Sequence, residues 1–229
     1  MLAIDTATSA TVIGLRCADG RVLEARDDPR PGERPGHSTC LLPLAAGLLA
    51  ESGLAWREVD RIAVGVGPGT FTGLRVGMAS AHGLAQSSGA ELVGVSSLRA
   101  LGLGAEGGSP VLAAIDARRG EVFVAGYHGE VELFSPRPAQ PVAVPGLIAE
   151  QGGAFMSEPC IAVGDGAVRY RAAFEAVAAQ VPEDGSALHR IQAAALCELG
   201  VSASAGSGPV LPDYLRRPDA AIALEGAAR

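Results

Sequence analysis

"GVGPGTFTGLRVG", residues 65–77, closes an apolar run and opens a helical pattern. Gly65, Gly67, Pro68 and Gly69 crowd the junction. A strand, then Gly67-Pro68-Gly69-Thr70, then a helix is a setting where free N–H groups at the helix start attract an anion. The spacing departs from GxxxxGK[ST], however, and all 18 basic residues of the chain are arginine, so no lysine completes such a loop. The other reading is a tight turn whose glycines supply unusual backbone angles, with Thr70 or Thr72 as helix cap. In the helix that follows, Gly73, Gly77 and Ala81 recur every four residues on one face. Each glycine costs a helix interior about 1 kcal/mol relative to alanine. Another backbone is therefore expected very close to that face, either that of its own sheet or that of another subunit.

Outward from this block, the pattern is α/β. Residues 2–5, 11–17 and 21–26 read as short strands, with Ala18-Asp19-Gly20 as a hairpin turn. The Pro/Gly-rich stretch 27–36 is a loop, and 37–52 a helix with Ser38 as cap. Pro43 predicts a late start or a kink in that helix. Strands at 61–67 and 91–96, a helix at 72–88 and a short one near 96–103 complete the first half. "AEGGSP" (105–110) marks a boundary. Beyond it, Ala114-Ile115-Asp116 falls on Ala3-Ile4-Asp5, a hint of internal duplication. The second half reads as irregular, with proline-rich 134–145, a strand at 160–166, a helix near 167–179 and a last helix at 186–200.

Composition narrows the chemistry. A length of 229 residues allows one large domain or two small ones. A formal net charge of −7 argues against a protein that grips nucleic acid unaided. Without lysine there is no Schiff-base or Ser–Lys chemistry, and no asparagine is present either. Cys17, Cys40, Cys160 and Cys197 are far apart and read as free thiols. His37, His82, His128 and His189 are never three or four apart, so no helical metal pair forms. No apolar run approaches the roughly 18 residues of a membrane span, and the start of the chain lacks the basic flank of a signal peptide. Asp5 and Asp116 end their strands before turns of small residues. Each is either a structural strand-end carboxylate or the holder of a metal-bound water in a phosphate-transfer cleft.

Several blocks now line up in order: "AIDTATSA" (3–10), "RPGHSTCLLP" (34–43), "GVGPGTFTGLRVGMASAHGLA" (65–85), "GVSSL" (94–98), "IDARRGEVF" (115–123), "VGDGA" (163–167) and "PDYLR" (212–216). Together they resemble the TsaB family of bacterial tRNA threonylcarbamoyladenosine biosynthesis proteins, glycoprotease-like relatives of the transferase TsaD. The resemblance implies a two-lobed actin-like/sugar-kinase/heat-shock ATPase fold, ribonuclease H-like in each lobe. Residues 1–106 would form the first lobe and 107–229 a smaller, degenerate second one, with the last helix returning to the first.

The resemblance also implies a cytoplasmic, non-catalytic subunit that supports TsaD. That enzyme transfers a threonylcarbamoyl group to N6 of a tRNA adenosine, assisted by the ATPase TsaE. Such a subunit self-associates when its partner is missing, meets tRNA only through the complex, and binds no cofactor by itself, a nucleotide at the partner junction being compatible. In the catalytic relative, two metal-binding histidines four apart follow the glycine block; Ser97 and Leu101 stand at those places here. The alternative is an enzyme of the same fold, an ATP-dependent phosphotransferase or a glycoprotease-like metallopeptidase. The expected partner or dimer interface joins His37, Leu41, Leu44 and Leu48 of one helix to Gly73, Leu74, Gly77, Met78 and Ala81 of the other. Asp5, Thr6, Gly67, Gly69, Thr70 and Asp116 are the candidates for a vestigial nucleotide or anion site, and no metal site is expected.

Overall fold

In the computed structural model, which describes residues 1–215 apart from 31, 152–154, 156–157, 205 and 207, the chain builds two mixed sheets. β1 (Leu2–Asp5), β2 (Thr11–Arg16) and β3 (Val22–Asp27) form an antiparallel meander. β4 (Arg61–Gly67) and β5 (Glu91–Ser96) add parallel strands on the other side of β1, giving the order β3-β2-β1-β4-β5. The second sheet contains β6 (Val111–Arg118), β7 (Glu121–His128), β8 (Val131–Ala139) and β9 (Ile161–Val163), in the order β8-β7-β6-β9. Its first strand is again central, antiparallel to its successor and parallel to the fourth. The second sheet thus repeats the first, and Asp5 and Asp116 sit on the two equivalent strands. This duplicated ribonuclease H-like topology is the two-lobed actin-like arrangement.

Helices α1 (His37–Glu51) and α2 (Phe71–Ser88) cover the outer face of the first sheet. Leu2, Ile4, Ile13 and Leu15 of the strands meet Leu41, Leu48, Leu49 and Met78 of the helices there. α3 (Ser97–Leu103) and the last helix, α7 (Ala193–Ser202), lie in the layer shared by the two sheets. α7 packs on the first sheet; the missing side chains of Gly14 and Gly200 let it approach β2 and β4 closely. α4 (Val144–Gln151), α5 (Asp165–Arg169) and α6 (Arg171–Glu175) line the outer face of the second sheet. No helix among the described residues is long and apolar enough to cross a membrane.

Four local expectations need correction. α1 begins at His37 with Gly36 as its cap residue and runs through Pro43. Pro43 is exposed, so the carbonyl it leaves without a helical donor faces water rather than apolar core. The proline-rich run is a strand, β8: Pro136 and Pro138 are accommodated because β8 is an edge strand with one unpaired side. The helix expected near 167–179 is two short helices broken at Tyr170. The last helix starts at Ala193, after a 3-10 turn at Ala187–His189 and an extended link.

Candidate functional site

The glycine block is a packed turn. Gly67 has a φ of 107°, and a Cβ there would press on Leu74 and the Asp213 carbonyl. Thr70 caps α2 by position, yet its side chain makes no cap bond and its N–H donates to the Ala7 carbonyl at 2.7 Å. A Cβ on Gly69 would overlap that same carbonyl. The Thr70 N–H is therefore engaged within the chain, and Gly69 brings two backbones together.

The small face of α2 rests on the end of β1. Thr6 is buried, and its hydroxyl donates to the Gly73 carbonyl at 2.8 Å. A Cβ on Gly73 would overlap the Thr6 carbonyl, and one on Gly77 the Thr6 hydroxyl, well inside the 3.0 Å that real Cβ contacts respect. The close backbone is thus that of the helix's own sheet. Met78 and Ala81 are covered in the same core as Leu41 and Leu48, and Leu74 is buried as well. His37 is buried too: its Nδ1 shares a 2.8 Å hydrogen bond with the Thr11 hydroxyl, and burial lowers its pKa, favouring the neutral ring. Leu44 is half-buried.

These residues join α1 to α2 inside one chain. Most of their side chains are already covered within the chain. What the two helices turn outward is different. Leu42 is 50% exposed, and Pro43, Ala46, Gly47 and Ala50 extend the same face of α1. Phe71, Arg75 and Ala79 are exposed on α2.

Asp5 is 1% exposed and sits under the start of α3. The Ser97 hydroxyl donates to its Oδ2 at 2.6 Å, and the Ala7 N–H to its Oδ1 at 2.8 Å. Burial raises its pKa to about 6 despite these two bonds. Gly65 is glycine because any Cβ would overlap the Asp5 carboxyl. Ser97 and Leu101 therefore have other work than metal binding. Ser97 holds Asp5, and Leu101 is 1% exposed in the core between the sheets. Among the described residues no three His, Cys, Asp or Glu side chains group to hold a metal.

Asp116 lies far from Asp5 in sequence but on the matching strand, beside the Gly164-Asp165-Gly166 turn. Its N–H donates to Asp165 Oδ1 at 2.9 Å. Asp165 is half-buried, and the loss of solvation there pushes its carboxyl above the usual range. The Gly164 N–H donates to His189 Nδ1 at 3.1 Å, while His189 Nε2 lies 3.2 Å from the Pro182 carbonyl. That pairing requires the proton on Nε2. His189 thus engages the free N–H at the start of the turn. The cleft between the lobes, lined by Thr8, Ser9, Leu101, Asp165 and His189, is only about 130 Å³. Small-molecule sites run to roughly 300–1,000 Å³.

One feature escaped sequence reasoning. The segment Pro209–Leu215 folds back on the glycine block. The Asp213 N–H donates to the Val66 carbonyl at 2.7 Å, and His82 Nε2 lies 3.0 Å from the Val210 carbonyl. The Tyr214 ring stands 5.2 Å from the Phe71 ring, and Arg75 lies over Phe71 and donates to the Tyr214 hydroxyl. Pro212–Leu215 and "FTGLR" are thus two halves of one surface; their separation in sequence hid it. Arg216 and Arg217 lie outside the described residues.

A family model described as TsaD, tRNA N6-adenosine threonylcarbamoyltransferase, matches residues 33–223. The chain belongs to that family. Within it, this TsaD-family chain is 38% identical to the tRNA threonylcarbamoyladenosine biosynthesis protein TsaB of Escherichia coli. That match covers 66% of the chain and 65% of the E. coli protein, just under two thirds of its length. It is 35% identical to an uncharacterized protein of Mycobacterium tuberculosis, over 96% of this chain and 93% of the other. The solved structure of YeaZ from Pseudomonas aeruginosa matches with a TM-score of 0.74 and 30% identity, over 93% of this chain and 98% of that one. The TsaB resemblance drawn from the sequence blocks and the two-lobed fold both hold.

Proposed function

We propose that this chain is a non-catalytic subunit supporting a TsaD-like transferase in forming N6-threonylcarbamoyladenosine in tRNA, in the cytoplasm. One observation carries the non-catalytic reading. The first turns of α3, where the resemblance places a metal-binding pair in the enzyme, hold a hydroxyl committed to Asp5 and a leucine packed in the core. Neither group can serve a transition metal. The narrow cleft and the engaged Gly164 N–H support the same conclusion for ATP chemistry.

The outer face of α1 and α2 supports the docking role. Leu42, Pro43, Ala46 and Ala50 give an apolar strip of short side chains, next to Phe71 and Arg75. Buried aromatic and arginine anchors typically dominate interface energies. We assign this face to the transferase, and to a second copy of the chain when the transferase is missing. A TsaE-like ATPase would join that complex, a nucleotide would sit at the junction rather than in this chain alone, and tRNA would be met through the assembly. Elemental analysis and an ATP-hydrolysis assay on the purified chain test the non-catalytic reading. We expect no stoichiometric transition metal and hydrolysis no faster than a blank. A mole-equivalent of zinc or iron lost on changing two histidines would overturn it.

A further inference from the structure

The link 181–192, which leads into α7, serves none of the roles above, yet it is bonded to both lobes. At its start, Arg171 of α6 donates to the carbonyls of Val181 and Pro182, both at 2.7 Å. At its end, Arg26 of β3 donates to the Ile191 carbonyl at 3.3 Å, and Glu24 accepts the Ala193 N–H at 2.8 Å. Glu24 thereby holds the first turn of α7 on the first sheet. Arg61 of β4 holds the other end, donating to the carbonyls of Gly200, Val201 and Ala203. Charged side chains of the first lobe therefore clamp α7 at both termini.

Between these anchors, His189 ties the link to the second lobe. The residue is 9% exposed, with the Gly164 N–H on Nδ1 and the Pro182 carbonyl beside Nε2. Gly164 is buried and cannot follow the ring if it moves. Its φ is 107°, and a Cβ there would overlap the Ala114 carbonyl, so the turn is pressed against β6. Only a neutral ring can accept at Nδ1. A protonated imidazole carries an N–H on both nitrogens and accepts nothing. The Gly164 N–H would then meet another N–H and lose its partner.

The groups around the ring supply no replacement acceptor. Thr8 and Ser9 of the β1–β2 loop, Leu101 of α3 and Ile115 of β6 carry no charge. Arg26 is paired with Asp28, and Arg190 lies 3.7 Å from that same carboxylate. Arg171 shares the Pro182 carbonyl with the ring and is paired with Asp184, while Glu183 is exposed. Asp165 of α5 is the remaining carboxyl in the cleft lining, and its Oδ1 accepts the Asp116 N–H.

We propose that His189 is the pin of a pH-sensitive latch between the lobes: protonation of its imidazole releases the link from the second lobe, while α7 stays clamped to the first. The cleft beside the ring, about 130 Å³ with the pin in place, widens when the pin is drawn.

The test follows amide exchange of the full chain between about pH 5 and pH 8, the range in which histidine changes charge. Each rate is divided by that of an unstructured peptide at the same pH. Protection of the Gly164 amide and of the amides of 183–192 should fall about tenfold or more as pH drops, while the amides of β4 keep theirs. The imidazole nitrogen resonances of His189 should titrate with the same midpoint as the Gly164 amide. His189→Gln keeps an acceptor and a donor but takes up no proton, so its Gly164 protection should be level across the range. Asp165→Asn should leave the transition in place. A Gly164 amide indifferent to pH, a midpoint apart from that of the ring, a transition that survives in His189→Gln, or one that vanishes in Asp165→Asn would overturn the proposal. Should His189→Gln fail to fold, the paired midpoints in the unaltered chain decide.

Discussion

Gly77→Ala tests the packing of α2 on β1. On helix propensity alone the change should stabilise by about 1 kcal/mol, since alanine is the better helix former. The structure predicts the reverse. The new Cβ would overlap the Thr6 hydroxyl, which donates to the Gly73 carbonyl at 2.8 Å in a buried position. Thr6 must rotate away and leave that carbonyl unpaired, at about 1–3 kcal/mol. Overpacking adds about 1–3 kcal/mol. The net loss is about 3 kcal/mol after the propensity gain. For a chain of this size about 2–4 °C of melting temperature goes with each kcal/mol, so the midpoint should fall by about 6–12 °C. Thr6→Ala removes the obstructing oxygen. Gly77→Ala combined with Thr6→Ala should therefore cost at least about 1 kcal/mol less than the two changes summed. Circular-dichroism melts and urea titrations of the four proteins measure this. An unchanged or raised midpoint in Gly77→Ala, or costs that simply add, would refute the packing argument. Lost association at constant midpoint would restore the small face as an outer contact.

Asp5→Asn should change how stability depends on pH. The folded pKa of Asp5 is about 6 against an ordinary 3.8, so the folded state favours the protonated form. Its contribution is complete below pH 3.8 and is lost as pH rises through about 6. The shift corresponds to about 3 kcal/mol. Urea titrations across pH 4–7 should show the variant gaining on the wild type as pH rises, and a constant difference would contradict the assignment. Leu42→Glu places a charge on the exposed strip of α1. It should leave folding stability within about 0.5 kcal/mol yet weaken association with the transferase about tenfold or more, read by sedimentation. A lowered melting temperature, or unaltered association, would argue against that face.

Much of the fold was legible because periodicity and punctuation agreed. The repeated Ala-Ile-Asp of Ala3–Asp5 and Ala114–Asp116 marks the two equivalent strands, and the four-residue spacing of Gly73, Gly77 and Ala81 signals a close backbone. Which backbone was not legible. The choice between Thr6 and another subunit depends on how the end of β1 lies under α2, and no local pattern encodes that. The leucines of α1 show the same limit. Composition reveals more of them than one stripe needs, but only packing shows that Leu42, not Leu41 or Leu48, is the outward one. The prolines of β8 read as disorder of pattern because edge position is a property of the sheet, not of the strand. Ser97 could be seen to be a non-ligand, while its bond to Asp5 spans 92 residues and needed the fold.

The central claim is that this chain enables a transferase without performing the transfer itself. The most direct measurement combines a TsaD-like transferase, a TsaE-like ATPase, threonylcarbamoyl-AMP and unmodified tRNA, with and without this chain, and counts N6-threonylcarbamoyladenosine by nucleoside mass spectrometry. The modified nucleoside should form only when transferase and chain are both present, and should disappear when the transferase is omitted. Modification by the chain in the absence of the transferase, or an undiminished rate without the chain, would contradict the account.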